Sequence, residues 1–209
     1  MAAQRAEIAP SRGRLRIPRV ACVRGDMEAF STRRWWLDAT EIRTQRLVLR
    51  AISPADAGAL GHAMWAHRDH LSPWVDVPGI PLSARSWRER VRRMTVAFVR
   101  GAQLLYTVHG APTSEGLLGC SGLTPSGATC ELSYWLVPAS TGRGYAREAA
   151  AALARLACRR AGARAARIRC RADNPRSAAV ARALGAQLTS ERGGMQEWTL
   201  PLERLCAGY

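Results

Sequence analysis

The stretch from Glu131 to Leu156 places the tightest limit on the fold, because an apolar strand there runs through two glycines into an alanine-rich helix. It reads Glu131-Leu132-Ser133-Tyr134-Trp135-Leu136-Val137, then Pro138-Ala139-Ser140-Thr141-Gly142-Arg143-Gly144-Tyr145-Ala146, then Arg147-Glu148-Ala149-Ala150 onward. The first N–H groups of a helix have no partner within it, and the aligned peptide dipoles make that end positive. A strand feeding a helix through glycines therefore builds a site for a phosphate group.

Around this unit the chain alternates strand and helix patterns from Thr44 onward. Arg46 to Ile52 reads as a strand, and Ser53-Pro54-Ala55-Asp56 opens a helix with a capping Ser and an early Pro. Ser83 to Val99 is amphipathic and stops at Gly101. Leu104 to Val108, Leu117 to Leu123 and Cys130 to Val137 then suggest three strands of an antiparallel meander. A helix over Tyr145 to Arg160 ends at Gly162, and Ala166 to Ala172 alternates as a half-exposed strand. Asn174-Pro175 starts a helix reaching Leu184, and Gln187 to Ser190 pairs with Gln196 to Leu200 around Gly193-Gly194. The expected architecture is an α/β domain with a mixed sheet and helices on its faces, over residues 40–209. Residues 1–39 carry scattered Arg, Pro and Gly without a sustained period and read as a disordered extension, within which Met27 is an alternative start.

The glycine turn, which by itself could be a plain strand-to-helix connection, has three functional readings. A nucleotide P-loop requires a Lys, and the chain has none. A dinucleotide fingerprint requires a third Gly or Ala at position 147, which is Arg, and an acidic residue about 20 residues on; Glu148 is too early and Asp173 too late. The third reading takes in the flanks. Thr141-Gly142-Arg143-Gly144-Tyr145-Ala146 resembles the acyl-CoA loop of the GNAT superfamily of N-acetyltransferases, and Glu131 to Leu136 resembles the strand that precedes that loop. Asn174-Pro175-Arg176-Ser177, with Val180, Leu184 and Gly185, is similar to the family's following helix, and Thr44 to Arg50 resembles its opening strand. His67-Arg68-Asp69-His70-Leu71-Ser72-Pro73-Trp74 resembles a segment of the RimJ/RimL type, the ribosomal-protein N-terminal acetyltransferases.

The resemblance spans about residues 42–205 and implies a GNAT-like fold with a mixed, mostly antiparallel central sheet flanked by helices. It implies acetyl-CoA as the acetyl donor, no metal, and a primary amine as acceptor: a protein N-terminus or a small molecule such as an antibiotic, polyamine or amino acid. Thr141, Gly142, Arg143, Gly144, Tyr145 and Ala146 would hold the pyrophosphate, and the pantetheine arm would lie along Leu136 and Val137. Asn174 caps its helix and is placed to touch the coenzyme. Glu131 is the candidate base, with a solvated strand-end carboxylate as its plain alternative. Ser177, or a water it orients, is the candidate proton donor to the thiolate. Two departures stand out: Thr141 lies where the family loop carries longer polar donors, and Ala181 lies where many relatives carry a Tyr acting as acid.

The acceptor sets the demand on the base. Deprotonation at pH 7 costs roughly 1.4 kcal/mol for an α-amine but about 4.6 for a Lys side chain, so an α-amine needs only a modest carboxylate. The formal charge of +15 raises a nucleic-acid- or ribosome-bound module as a competing reading. All 31 basic residues are Arg, however, and a base-composition bias explains the absence of Lys better than selection for a basic surface. The six cysteines form no C-x-x-C pair and read as reduced thiols, while His67 and His70 lack companion ligands for a metal. With no apolar leader and no run of about 20 apolar residues, a cytoplasmic monomer or homodimer is expected.

Overall fold

A computed structural model describes residues 34–75, 83–112 and 116–206. The Arg-rich leader up to residue 33 and the segment Val77 to Pro81 lie outside the described residues. In chain order the elements are β1 (Glu41–Arg43), β2 (Leu47–Ala51), α1 (Ala57–Ala66), α2 (Arg68–Leu71), α3 (Ala84–Arg100), β3 (Leu104–Gly110), β4 (Gly119–Ser126) and β5 (Thr129–Leu136). They continue with α4 (Tyr145–Ala161), β6 (Ala165–Arg171), α5 (Pro175–Leu184), β7 (Gln187–Arg192), β8 (Met195–Pro201) and the short α6 (Glu203–Cys206).

All strands join one eight-stranded sheet in the order β1-β2-β3-β4-β5-β6-β8-β7. Every neighbouring pair is antiparallel except β5 and β6, which run parallel because α4 crosses between them. That parallel pairing covers only Thr129↔Ala165 to Leu132↔Ile168. Beyond Leu132, the residues Ser133 to Leu136 pair with β4 on one side and, among the described residues, have no strand on the other. The sheet therefore parts between β5 and β6, beneath the start of α4.

Alternation along the strands fills two apolar layers. Leu47, Leu49, Tyr106, Val108, Leu123, Cys130, Leu132 and Ile168 face α4 and α5, while Cys120, Leu105 and Trp135 face α1 and α3. α4 meets the sheet with Ala149, Ala150, Leu153, Ala154 and Ala157, all buried. Alanine combines the best helix propensity with the smallest side chain, so the helix axis lies close over the sheet. Trp87 and Val91 of α3 close the other layer, and Trp87 packs on Gly61, where a Cβ would approach its ring to 2.9 Å.

The helix ends follow the sequence cues. Ser83 Oγ accepts the Ser86 N–H, Asn174 Oδ1 accepts the Ser177 N–H at 3.0 Å, and Gly101, Gly162 and Gly185 end α3, α4 and α5 in the left-handed region. Three readings change. β1 precedes the first expected strand, pairing with β2 across a turn in which Thr44 N–H donates to the Leu47 carbonyl. Trp35 and Trp36, on a short 3-10 turn, are buried in the main core, so packed structure begins ahead of residue 40. Cys120, Cys130 and Cys170 are free and buried, whereas Cys158 is disulfide-bonded, which corrects the expectation of six reduced thiols.

Candidate active site

β5 ends at Leu136, and a 3-10 turn over Pro138–Ser140 lifts the chain off the sheet edge. Thr141 is extended, and the chain then turns through Gly142 (φ +75°) and Gly144 (φ +77°) into α4. Both values lie in the left-handed region that glycine enters without steric cost. Among the described residues, the N–H groups of Gly142, Arg143, Gly144, Tyr145, Ala146 and Arg147 donate to no protein acceptor; the first helical bond runs from Glu148 N–H to the Gly144 carbonyl. A Cβ added at Gly142 would meet nothing within 4 Å, so the rim of this cradle is open. Successive unpartnered amides at the positive end of a 17-residue helix fit a diphosphate.

The structure brings the expected loop residues together around these amides. The Thr141 hydroxyl donates to the Pro138 carbonyl at 2.8 Å, so its proton serves the loop itself. Leu136 is buried opposite Gly119, and the Val137 N–H donates to the Leu118 carbonyl, so both belong to the β4–β5 pair at the edge of the split.

Glu131 stands on β5 with Ser133 and Trp135, on the sheet face that α1 and α3 cover further along. Its carboxylate receives Arg169 of β6, with Nε and Nη2 at 3.2 and 3.1 Å from Oε1 and Nη2 at 2.9 Å from Oε2. This ion pair crosses from β5 to β6 just where their main chains separate. It is solvent-reached on both partners, so its net contribution to stability is small, about 0–1 kcal/mol.

Ser177 lies in the first turn of α5, and its Oγ is 3.1 Å from the Tyr134 hydroxyl, which also lies 3.2 Å from the Ser177 carbonyl. Burial pushes the Tyr134 phenol up to about 12, against the opposing pull of the Ser177 hydrogen bond. The phenol therefore keeps its proton across the neutral range. Sequence periodicity puts Tyr134 and Trp135 on opposite faces without revealing that Tyr134 reaches across the split to α5. Ala181 is fully buried in the core, so no side chain from that position enters the cleft.

Arg46 is the residue that sequence reasoning missed. Its Nη1 donates to the Arg143 carbonyl at 3.0 Å, its Nε and Nη2 reach Glu148 Oε2 at 2.7 and 2.6 Å, and its guanidinium lies 5.0 Å from the centre of the Tyr145 ring. Its backbone N–H and the Thr44 hydroxyl both donate to Glu148 Oε1, at 2.9 and 2.6 Å. Burial works against the charged carboxyl of Glu148, but these hydrogen bonds outweigh it and hold the group below the usual carboxylate range. His70 of α2 is shifted down by burial and by the positive charges of Arg176 and His67, which places α2 within electrostatic reach of the start of α5.

A mostly antiparallel sheet that parts beside a cradle of free amides suits a ligand that carries a diphosphate. The profile described as "Acetyltransferase (GNAT) domain" matches residues 46–187, and the chain belongs to that family. No curated protein sequence matches it. The fold is similar to RimL, a ribosomal L7/L12 alpha-N-protein acetyltransferase in complex with coenzyme A, with TM-score 0.70 and 23% identity over 77% of this chain and 97% of that one. It is similar to Mycobacterium smegmatis RimJ in complex with CoA-disulfide, with TM-score 0.67 and 20% identity over 76% and 83% of the two chains. The microcin C7 self-immunity acetyltransferase MccE, in complex with acetyl-CoA and AMP, gives TM-score 0.69 and 14% identity over 78% and 97%. The protein is an acetyl-CoA-dependent N-acetyltransferase with the GNAT fold.

Proposed function

We propose that this enzyme acetylates the α-amine of a protein N-terminus, with Glu131 as base and Ser177 as proton donor. The observation that carries the reading is Glu131 itself: a partly exposed carboxylate at the split, held by Arg169 on the face of α1 and α3. One such carboxylate, acting directly or through a water, meets the modest demand of an α-amine and falls short of the larger demand of a Lys side chain. The fold shared with RimL, named as a ribosomal L7/L12 alpha-N-protein acetyltransferase, supports the same acceptor class. The likeness to MccE supports a small-molecule acceptor as the second reading.

In this reading the free amides of residues 142–147 hold the coenzyme diphosphate, and the open edge of β5 at Leu136 and Val137 takes its arm. The bound coenzyme supplies an acetyl thioester. Glu131 removes a proton from the incoming ammonium; the freed amine bonds to the thioester carbonyl carbon as the carbon–sulfur bond breaks, and Ser177 Oγ, hydrogen-bonded to Tyr134, gives its proton to the departing sulfur and regains one from the nitrogen of the new amide. The Asn174 side chain shapes the first turn of α5 and thereby the position of Ser177. The deciding experiment measures thiol release with acetyl-CoA against a panel of N-terminal peptides, Lys-bearing N-blocked peptides and small amines. Turnover confined to free N-termini is expected; preference for small amines would replace this reading with the MccE-like one. Glu131→Gln is expected to lower kcat by about 10²-fold or more with little change in acetyl-CoA affinity. A wild-type kcat in Glu131→Gln would remove Glu131 from the base role.

A further inference from the structure

We infer that Arg46 is a positioning residue for the coenzyme cradle, orienting its amides and neutralising Glu148, a carboxylate that opposes an anion there. This rests on the reading of residues 142–147 as the diphosphate site. The Arg46 Nη1 hydrogen bond holds the Arg143 carbonyl outward at 3.0 Å. Across a trans peptide the C=O and N–H point in opposite directions, so the same contact directs the Gly144 N–H away from Arg46. The guanidinium also lies over Tyr145, the first residue of α4, and would stand 3.4 Å from a Cβ at Gly144. Loop and helix start are thus fixed from one side by a single planar group.

Glu148 is the fourth residue of α4, one turn from the cradle. A bare carboxylate there would repel a bound diphosphate. Both of its oxygens are occupied, Oε1 by Thr44 and the Arg46 N–H, Oε2 by the Arg46 guanidinium. The fork of Arg matches this geometry where the single ammonium of Lys does not. Arg46 therefore supplies a cation beside a loop whose Thr141 hydroxyl is turned onto the Pro138 carbonyl.

The test titrates acetyl-CoA by calorimetry into wild type, Arg46→Met, Glu148→Gln and the double variant, with thermal unfolding of each ligand-free protein alongside. Arg46→Met is expected to weaken binding about tenfold or more, raising KM for acetyl-CoA with kcat nearly unchanged. The double variant is expected to recover part of that loss, because the exposed carboxylate is gone while the contact that orients the Arg143 peptide stays lost. Wild-type affinity in Arg46→Met, or a double variant no better than Arg46→Met, would overturn the inference. If Arg46→Met does not fold, Arg46→Lys replaces it in both comparisons, with a smaller loss expected and the same overturning outcomes. Gly142→Asp and Gly142→Asn, two residues that tolerate left-handed φ, separate the underlying reading: if both bind acetyl-CoA like wild type, the cradle is not the diphosphate site, whatever Arg46 does.

Discussion

Tyr134 and Ser177 come from β5 and α5, on either side of the gap, and their hydroxyls meet at 3.1 Å. Removing the phenol oxygen leaves the Ser177 hydroxyl without that partner while keeping the ring in the core. Tyr134→Phe is expected to lower kcat by about tenfold with KM for acetyl-CoA unchanged, read by steady-state kinetics; a wild-type kcat would make the bond purely architectural. Glu148 has a different signature. Its carboxyl is held below the ordinary value of 4.5, so its stabilising contribution is complete above that pH and disappears as pH falls through the folded value. The difference in melting temperature between wild type and Glu148→Gln is therefore expected to be largest near neutrality and to shrink below about pH 4.5. A gap that stays constant into acid would show that Glu148 acts by packing alone. The glycine turn was legible because local spacing marks it, whereas Glu131 and Ser177 were singled out only through the resemblance of their segments to a family's motifs. Arg46 was not, since it reads as an ordinary strand residue and its carboxylate partner is 102 positions away.

Helices and strands were legible wherever punctuation and period agreed. Ser83 and Gly101 bracket α3, Asn174 and Gly185 bracket α5, and the glycine pair 193–194 joins β7 to β8. β1 escaped because three residues cannot display an alternation, and it exists through pairing with β2. The alanines of α4 were visible as composition, but their reason is contact: Ala150, Ala154 and Ala157 have no exposed surface beneath the helix. Ala154→Leu is expected to overpack this layer and cost about 1–3 kcal/mol, measured by urea unfolding. Loss below about 0.5 kcal/mol would mean that the helix can lift without penalty. Gly119 faces a tighter limit, at φ +156° and with a Cβ position 2.8 Å from the Leu136 Cα and on top of the Trp135 carbonyl. Any side chain there pushes β4 from β5 at the very edge of the split.

Across the molecule, the order of the strands was only partly readable. The meander of β3, β4 and β5 follows from short connections, and the parallel step to β6 follows from an intervening helix. The length of that parallel contact is a property of the packed whole, and no stretch of sequence announces that it stops after Leu132. The Arg-only basic composition left the partner open as well, since charge alone does not distinguish a polyanion from a coenzyme. Linkage does: acetyl-CoA at about 100 times its dissociation constant is expected to add roughly 2.7 kcal/mol, seen as a rise of several degrees in melting temperature, and duplex DNA at equal phosphate concentration is expected to add none. The reverse result would favour the nucleic-acid module. Beyond Leu132 one margin of β5 presents peptide groups rather than side chains to whatever occupies the gap. A visitor gripped in that way leaves no imprint on the side chains it passes, so along Ser133 to Leu136 only Tyr134, through its bond to Ser177, answers to more than packing.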